Sequence, residues 1–414
     1  MKIALKRIGI PLLGLLLLAL WSPETHAADK IVFGFKGNQA ELVLAQELVE
    51  EFNQSQNEII VEVLDMTARG GAWHEHLSVL FASGEAPDVI RMEYQRGFPF
   101  AKEGLLRPID DLIASDPNFV ESDFFPVSLE AHRVDGRQYG VPREAQPFTL
   151  FVNRTAVSEA GLGFPDHDWD ISEFEDIVRR TVRTDHSGKT LHYGWQLTVT
   201  ETRLPPFIHA FGGRILNEDR TAFVLDAPEV IDALQFMQDL SVNHGAIGGN
   251  FQQGTATFEL SGPWAVPGYR NAIQDSFEWD ILPVPQGPGG RGTTLGSDAY
   301  YISNQSRNPE LAWRFITFIT SAESLARLSE TGALVPSRRD VAFDLVFGTP
   351  VGPPQNLGAY LTGLEFAQPS PMFSRWFDFA RTINPVWSSV IQGNADPRTA
   401  MTEILPELNA LLSE

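Results

Sequence analysis

The chain has no cysteine among its 414 residues. That absence excludes a disulfide framework, thiolate metal ligands and a lipid-modified N-terminal cysteine. Basic residues are scarce. Lys and Arg number 31 against 53 Asp and Glu, for a formal net charge of −22. So acidic a chain repels phosphate backbones and anionic headgroups, which argues against nucleic acid and the membrane surface as partners. Beyond Trp21 there is no long apolar run, so no second segment is suited to span a bilayer. Catalytic signatures are also missing. There is no G-x-S-x-G elbow and no H-E-x-x-H helix. Gly188-Lys189-Thr190 resembles the end of a phosphate loop, but Arg183 stands where its first glycine belongs. His74 and His76 are two apart and would not share a helix face, so they make a poor metal pair. The acidic run 166–170 lacks the glycine-containing order of a calcium loop. No metal, no cofactor and no enzyme activity are expected.

What is present begins with an address. Lys2, Lys6 and Arg7 precede an apolar stretch from Ile8 to Trp21, and Thr25-His26-Ala27 offers small residues to a signal peptidase. This predicts a leader over 1–27, cleavage after Ala27, and a periplasmic protein. The remaining length suits two domains.

Strand and helix patterns alternate from there. Residues 31–35 read as a buried strand, and Leu42, Ala45, Leu48, Val49 and Phe52 recur at helical spacing. Strands at 59–64 and 86–92 flank a helix at 74–81, which predicts a largely parallel α/β sheet. Ligands in such sheets sit at the carboxyl ends of the strands, which singles out 36–41, 65–73 and 93–96. Asn38, Glu41, Trp73, Glu93 and Tyr94 lie there. Farther on, Thr255 to Leu260 reads as a strand stopped by Ser261-Gly262-Pro263. Trp264 comes next, on what reads as a loop stiffened by Pro263 and Pro267. A flat ring so placed can stack on the apolar face of a sugar, or it can plug a core. Residues 283–296 are rich in Pro and Gly and read as an exposed crossing between domains. Pro309 to Leu328 reads as one helix.

Several segments in order carry a resemblance: FASGEAPDV (81–89), LLRPIDDLI (105–113), GRQYGVPREAQPFTLFVN (136–153), FGGRILNED (211–219), GTATFELSGPWA (254–265), WDILPVPQGPGG (279–290), LGSDAYYIS (295–303) and NPELAWRFITFITSAES (308–324). Together they resemble the solute-binding proteins of carbohydrate-uptake ABC transporters, of the maltose, trehalose and multiple-sugar-binding type. The resemblance implies an α/β, two-lobed periplasmic-binding-protein fold with a ligand cleft between lobes joined by three crossings. The first lobe would be 28–141 with 295–333, and the second 146–283 with 340–414. The crossings would lie near 141–146, 283–294 and 334–339. It further implies a monomer that binds a carbohydrate, closes by a hinge and docks on membrane permease subunits. Trp264 would stack on the sugar, with Asn38, Glu41, Glu93, Tyr94, Arg143, Glu144 and Gln146 near its hydroxyls. Where the family often has an aromatic, this chain has Leu295-Gly296-Ser297-Asp298, so Gly296 and Asp298 would mark a more polar subsite. Alternatively, Trp376 or Phe373 would supply the missing ring; Trp195 and Trp376 read equally well as core. The rival classes are a secreted glycoside hydrolase, which needs two suitably spaced carboxylates, and a sugar-binding protein that serves a chemoreceptor.

Overall fold

The computed structural model describes residues 28–67, 73–330, 332–348 and 352–412. The expected leader and its cleavage point, and residues 68–72 of the second strand-end segment, lie outside the described residues. No helix among the described residues is long and apolar enough to cross a membrane.

The first lobe opens with β1 (Asp29–Phe35), α1 (Gln39–Ser55), β2 (Ile59–Asp65), α2 (Trp73–Ser83), β3 (Val89–Glu93) and α3 (Tyr94–Lys102). β1 pairs in parallel with both β2 and β3. The next strand outward is Asp298–Ser303, which runs antiparallel to β3 and to Gly140–Pro142. The sheet is therefore mixed, and the expected parallel order holds only for its first three strands. The added strand returns from the other lobe, so it enters from the end at which β3 leaves. Side-chain alternation sorts the two faces. Ile31, Phe33 and Val89 pack with Leu42, Leu48 and Phe315 on one side. Ile90 and Met92 pack with Leu77 and Phe100 on the other. The α1 face predicted from spacing is the buried one. Asn38 caps the helix, its side chain accepting from Glu41 N at 3.0 Å while Glu41 Oε2 accepts from Asn38 N at 3.2 Å. That reciprocal pair satisfies two donors the helix would otherwise leave open.

The second lobe is built on a mixed sheet in the order Arg183–Thr184, Thr190–Gln196, Ala256–Ser261, Thr149–Asn153, Trp279–Leu282. Leu150 and Val152 face one core with Trp195, Phe258 and Trp387. Phe151, between them, faces the opposite core with Phe251, Tyr269 and Trp279. The stretch expected to be one helix from Pro309 is two, Pro309–Ile319 and Ala322–Ser329, because Ser321 caps the second through Ser324 N.

Among the described residues the chain passes between lobes at 142–147, 293–298 and 334–337. These passes bond to one another. Ala145 N donates to Val335 O at 3.0 Å and Ser337 N to Arg143 O at 3.2 Å. Gln146 pairs with Gly296, and Pro147 with Leu295. The Pro/Gly-rich stretch before the middle pass is exposed at Gln286, Pro288 and Gly289 but lies against the second lobe. Gly289 N donates to Ala210 O at 2.8 Å, and a Cβ on Gly287 would stand 2.2 Å from that same carbonyl. Glycine is there so that the loop can lie flat on the second lobe.

Candidate functional site

A cavity of about 310 Å³ lies where the lobes face each other. The first lobe supplies Glu93, Gln95 and Arg96, and the second supplies Phe148, Thr202, Trp264, Trp376 and Phe377. Glu144, Gly296, Ser297 and Asp298 come from the crossings.

Trp264 owes its position to the residues just beyond its strand. Ala256–Ser261 ends at an extended Gly262, and Pro263–Ala265 makes one 3₁₀ turn. A helix, Val266–Ile273, begins at once. This corrects the expected loop. Pro267 sits in the first helical turn, where a missing N–H costs nothing. The indole stands edge-on to Phe148 at 5.0 Å between centroids and remains 40 % exposed. A Cβ on Gly296 would come within 3.1 Å of that ring, so glycine lets the ring lie over the crossing. Trp376 is different. It is 1 % exposed, packs with Phe373 and Phe379, and its Nε1 has no hydrogen-bond partner among the described residues.

Behind the first-lobe wall runs a chain of alternating charges. Glu144 meets Arg143 at 3.3 Å, and Arg143 meets Glu41 at 2.9 Å. Glu41 also takes Arg91 at 3.0 Å, and Arg91 takes Asp298 at 3.0 Å. Lys36 then bridges Asp298 at 3.0 Å and Glu93 at 2.7 Å, and lies 5.7 Å from the Trp73 ring centroid. Burial would push the Glu41 carboxyl up, but Arg91 and Arg143 outweigh it and hold it at about 2. Asp298 is likewise held below the usual carboxylate range, with Lys36 and Arg91 overcoming its burial. Glu144 goes the other way. Burial pushes it up to about 7, only partly offset by Arg143. Buried charges are tolerable only when paired in this way.

A second relay fixes the crossings. Ser297 Oγ donates to the Glu144 carbonyl at 2.7 Å, so it accepts from His132 Nε2 at 2.9 Å. His132 Nδ1 is then the acceptor for Tyr301 Oη at 2.6 Å. Burial pushes His132 down to about 3, which keeps the ring neutral.

The structure sorts the residues expected at the site into three groups. Glu93, Glu144, Trp264, Gly296, Asp298 and Trp376 line the cleft. Glu41 and Arg143 stand behind it, spent on the charge network. The rest do not line this cavity. Asn38 is a helix cap. Trp73 is buried under Lys36. Tyr94 is 1 % exposed, its hydroxyl donating to Leu295 O at 3.1 Å and accepting from Ser370 N at 2.8 Å. Gln146 is buried in the strand pair between crossings. Trp195 is wholly enclosed by Phe174 and Phe207. Residues missed are Lys36, Arg91, Gln95, Arg96, Phe148, Glu201 and Phe377. The strand-end rule already pointed at 36 and 95–96; Phe148, Glu201 and Phe377 carried no local signal. Arg96 lies 3.7 Å from the Phe377 ring centroid, a contact that spans the two lobes.

Two lobes, bonded crossings and a mixed polar and aromatic cleft define a two-lobed α/β binding protein. Residues 36–326 match the family of bacterial extracellular solute-binding proteins, and the chain belongs to that family. Among curated relatives, a galactooligosaccharide-binding protein of Bacillus subtilis is 23 % identical over 341 residues, covering 78 % of this chain and 76 % of its own. An ABC substrate-binding protein of Listeria monocytogenes, solved in complex with cycloalternan, superposes with a TM-score of 0.80 at 21 % identity, covering 92 % of this chain and 98 % of that one. The sugar-binding protein MalE of Xanthomonas citri gives 0.78 at 22 % identity, covering 93 % and 97 %. These similarities establish the two-lobed fold.

Proposed function

We propose that the protein binds a sugar between its lobes and delivers it, as a periplasmic monomer, to the permease of an ABC transporter. The observation that carries this reading is Trp264, a large indole left 40 % exposed at a cleft that also presents Glu93, Gln95, Arg96, Thr202 and Ser297. An aromatic face against C–H groups, with polar side chains around its rim, is the chemistry that holds a saccharide. Relatives named for oligosaccharides support it. The lobes would be 28–141 with 295–333 and 146–283 with 340–414, rotating about the three crossings as hinges. Ligand contacts to both walls would favour closure.

The rival hydrolase reading looks to carboxylates with separated affinities for protons, and Glu144 and Asp298 are separated in that way. Both, however, are engaged by buried cations, Glu144 by Arg143 and Asp298 by Lys36 and Arg91. Asp298, its proton affinity lowered by those cations, is a poor nucleophile and a poor base, so Glu144 lacks in it the second working carboxylate that glycoside hydrolysis needs. Thermal-shift screening against mono-, di- and trisaccharides and polyols tests the reading. A concentration-dependent rise in Tm without product formation is expected. Accumulating product, or no shift with any saccharide, overturns it.

A further inference from the structure

The charges at the cleft do not balance. Behind its first-lobe wall Lys36, Arg91 and Arg143 stand against Glu41, Glu93 and Asp298, three cations to three carboxylates. Two further carboxylates, Glu144 and Glu201, line the cavity, and among the described residues Arg96 is the one cation that lines it. Arg96 is engaged elsewhere. Its guanidinium lies over the Phe377 ring, and its Nε is 3.8 Å from Glu93. The cleft is therefore short of positive charge.

Glu201 shows where the shortage falls. It stands in the turn between Thr190–Gln196 and Pro205–Ala210, half-buried on the second-lobe wall. Asn384 Nδ2 donates to its Oε2 at 2.8 Å. Its Oε1 accepts from no described residue and is not sealed from solvent. Arg203, two residues on, donates instead to Leu260 O at 3.3 Å, and its field acts on Glu259. Arg214 and Arg220 line an adjoining cavity that Glu201 also borders, but neither comes within ion-pair distance of it. A carboxylate fixed by one neutral amide and open at its other oxygen can take a charged donor, and such bonds are the strong ones. Glu144 is an independent sign of the same shortage. It stands where the crossings meet, its carbonyl accepting from Ser297 Oγ and its backbone pairing with Pro336. Its carboxyl has only Arg143, at 3.3 Å, which it shares with Glu41. Burial, which that shared cation only partly offsets, pushes it up to about 7.

We propose that the sugar this cleft accepts is an amino sugar, whose protonated amine pairs with Glu201 while its ring lies on Trp264. The proposal rests on the sugar-binding reading and adds one positive charge to the ligand. Trp264 and Glu201 line one cavity of about 310 Å³, so a single sugar is within reach of both. Aromatic faces also attract cations, as Arg96 over Phe377 already shows at this cleft, so the rings tolerate the charge.

The test is calorimetric titration with matched sets of one to three units: β-1,4-linked glucosamine, its N-acetylated form and the parent glucose. Galactosamine, N-acetylgalactosamine and galactose are added as single units. The pH is kept below the titration of the amines. Wild type should bind at least one amine about tenfold or more tighter than its acetylated and parent counterparts, the increment of a hydrogen bond between charged groups. Glu201→Gln keeps the acceptor for Asn384 and should erase that preference, with an unchanged urea midpoint as the check on folding. Glu201→Lys supplies the missing cation itself and should bind the amines more weakly still. Spermidine, an amine with no ring to stack, should not bind. Parent sugars bound as tightly as the amines by wild type, or a preference that survives in Glu201→Gln, overturns the amine while leaving sugar binding intact. Spermidine binding without saccharide binding, or no binding of any probe, overturns both the amine and the sugar-binding reading.

Discussion

Glu41 Oε1 accepts from two guanidinium groups at once, Arg91 Nη2 at 3.0 Å and Arg143 Nη2 at 2.9 Å. Arg91 belongs to β3, and Arg143 to the first crossing. One carboxylate at the start of α1 therefore ties helix, sheet and crossing together behind the cleft. Both arginines are nearly inaccessible, with exposures of 5 % and 1 %. The network is thus internal scaffolding, on which the cleft wall stands.

Replacing Glu41 should therefore damage the fold before it damages any contact with ligand. Glu41→Gln leaves two buried cations short of a counter-charge. A loss of about 3–5 kcal/mol in unfolding free energy is expected, as for breaking one partner of a buried pair. Urea denaturation near neutral pH measures it. A change under about 1 kcal/mol would show that the pair is solvated and adds little.

Glu144 gives a pH signature of definite sign. Its carboxyl ordinarily titrates near 4.5 and is pushed up to about 7 in the fold. The folded state therefore holds this proton more tightly than the unfolded chain. The stability linked to it is fully present below about 4.5 and is lost as pH rises through about 7. Glu144→Gln has no such proton to lose. The stability of the variant relative to wild type should climb across that window by up to about 3 kcal/mol. Unfolding midpoints of both proteins at pH 4.5, 6 and 8 decide the matter; parallel curves would count against it.

Glu41 has the opposite sign. Held at about 2 against an ordinary 4.5, it contributes stability above 4.5 that is lost as pH falls toward 2. Wild-type stability should fall on that acid limb, and Glu41→Gln should show a shallower fall. A steeper acid limb in the variant would refute the assignment.

Trp264 and Trp195 should behave in contrasting ways. Trp264→Ala removes an exposed ring. It should weaken saccharide affinity by about 30- to 1,000-fold, as for a central aromatic anchor. Its stability cost should be near 1 kcal/mol, from the lost edge contact with Phe148. Trp195→Ala empties a core site that is 0 % exposed. It should cost about 3–5 kcal/mol of stability while the remaining folded protein binds normally. Calorimetric titration and urea unfolding on both variants separate the roles. The reverse pattern would exchange them.

Local pattern determined a good deal of this protein. The spacing of Leu42, Ala45, Leu48, Val49 and Phe52 defined the buried face of α1, and the strand-end rule pointed to Glu93 and its neighbours. Both are legible because periodicity and chain direction act over a few residues. The run of segments around SGPWA also pointed to Trp264, a ring that lines the cleft. Tertiary structure alone decided which aromatic rings were free. Trp195, Trp264 and Trp376 look alike in sequence, yet their exposures are 0 %, 40 % and 1 %. The difference arises from what packs over each ring, and those neighbours lie far away in the chain. The same holds for the charges. Glu41, Arg91, Arg143 and Asp298 become one network only when a strand that has crossed back from the second lobe lies against β3. Sequence spacing reports neighbours along the chain, whereas burial and pairing depend on neighbours in space.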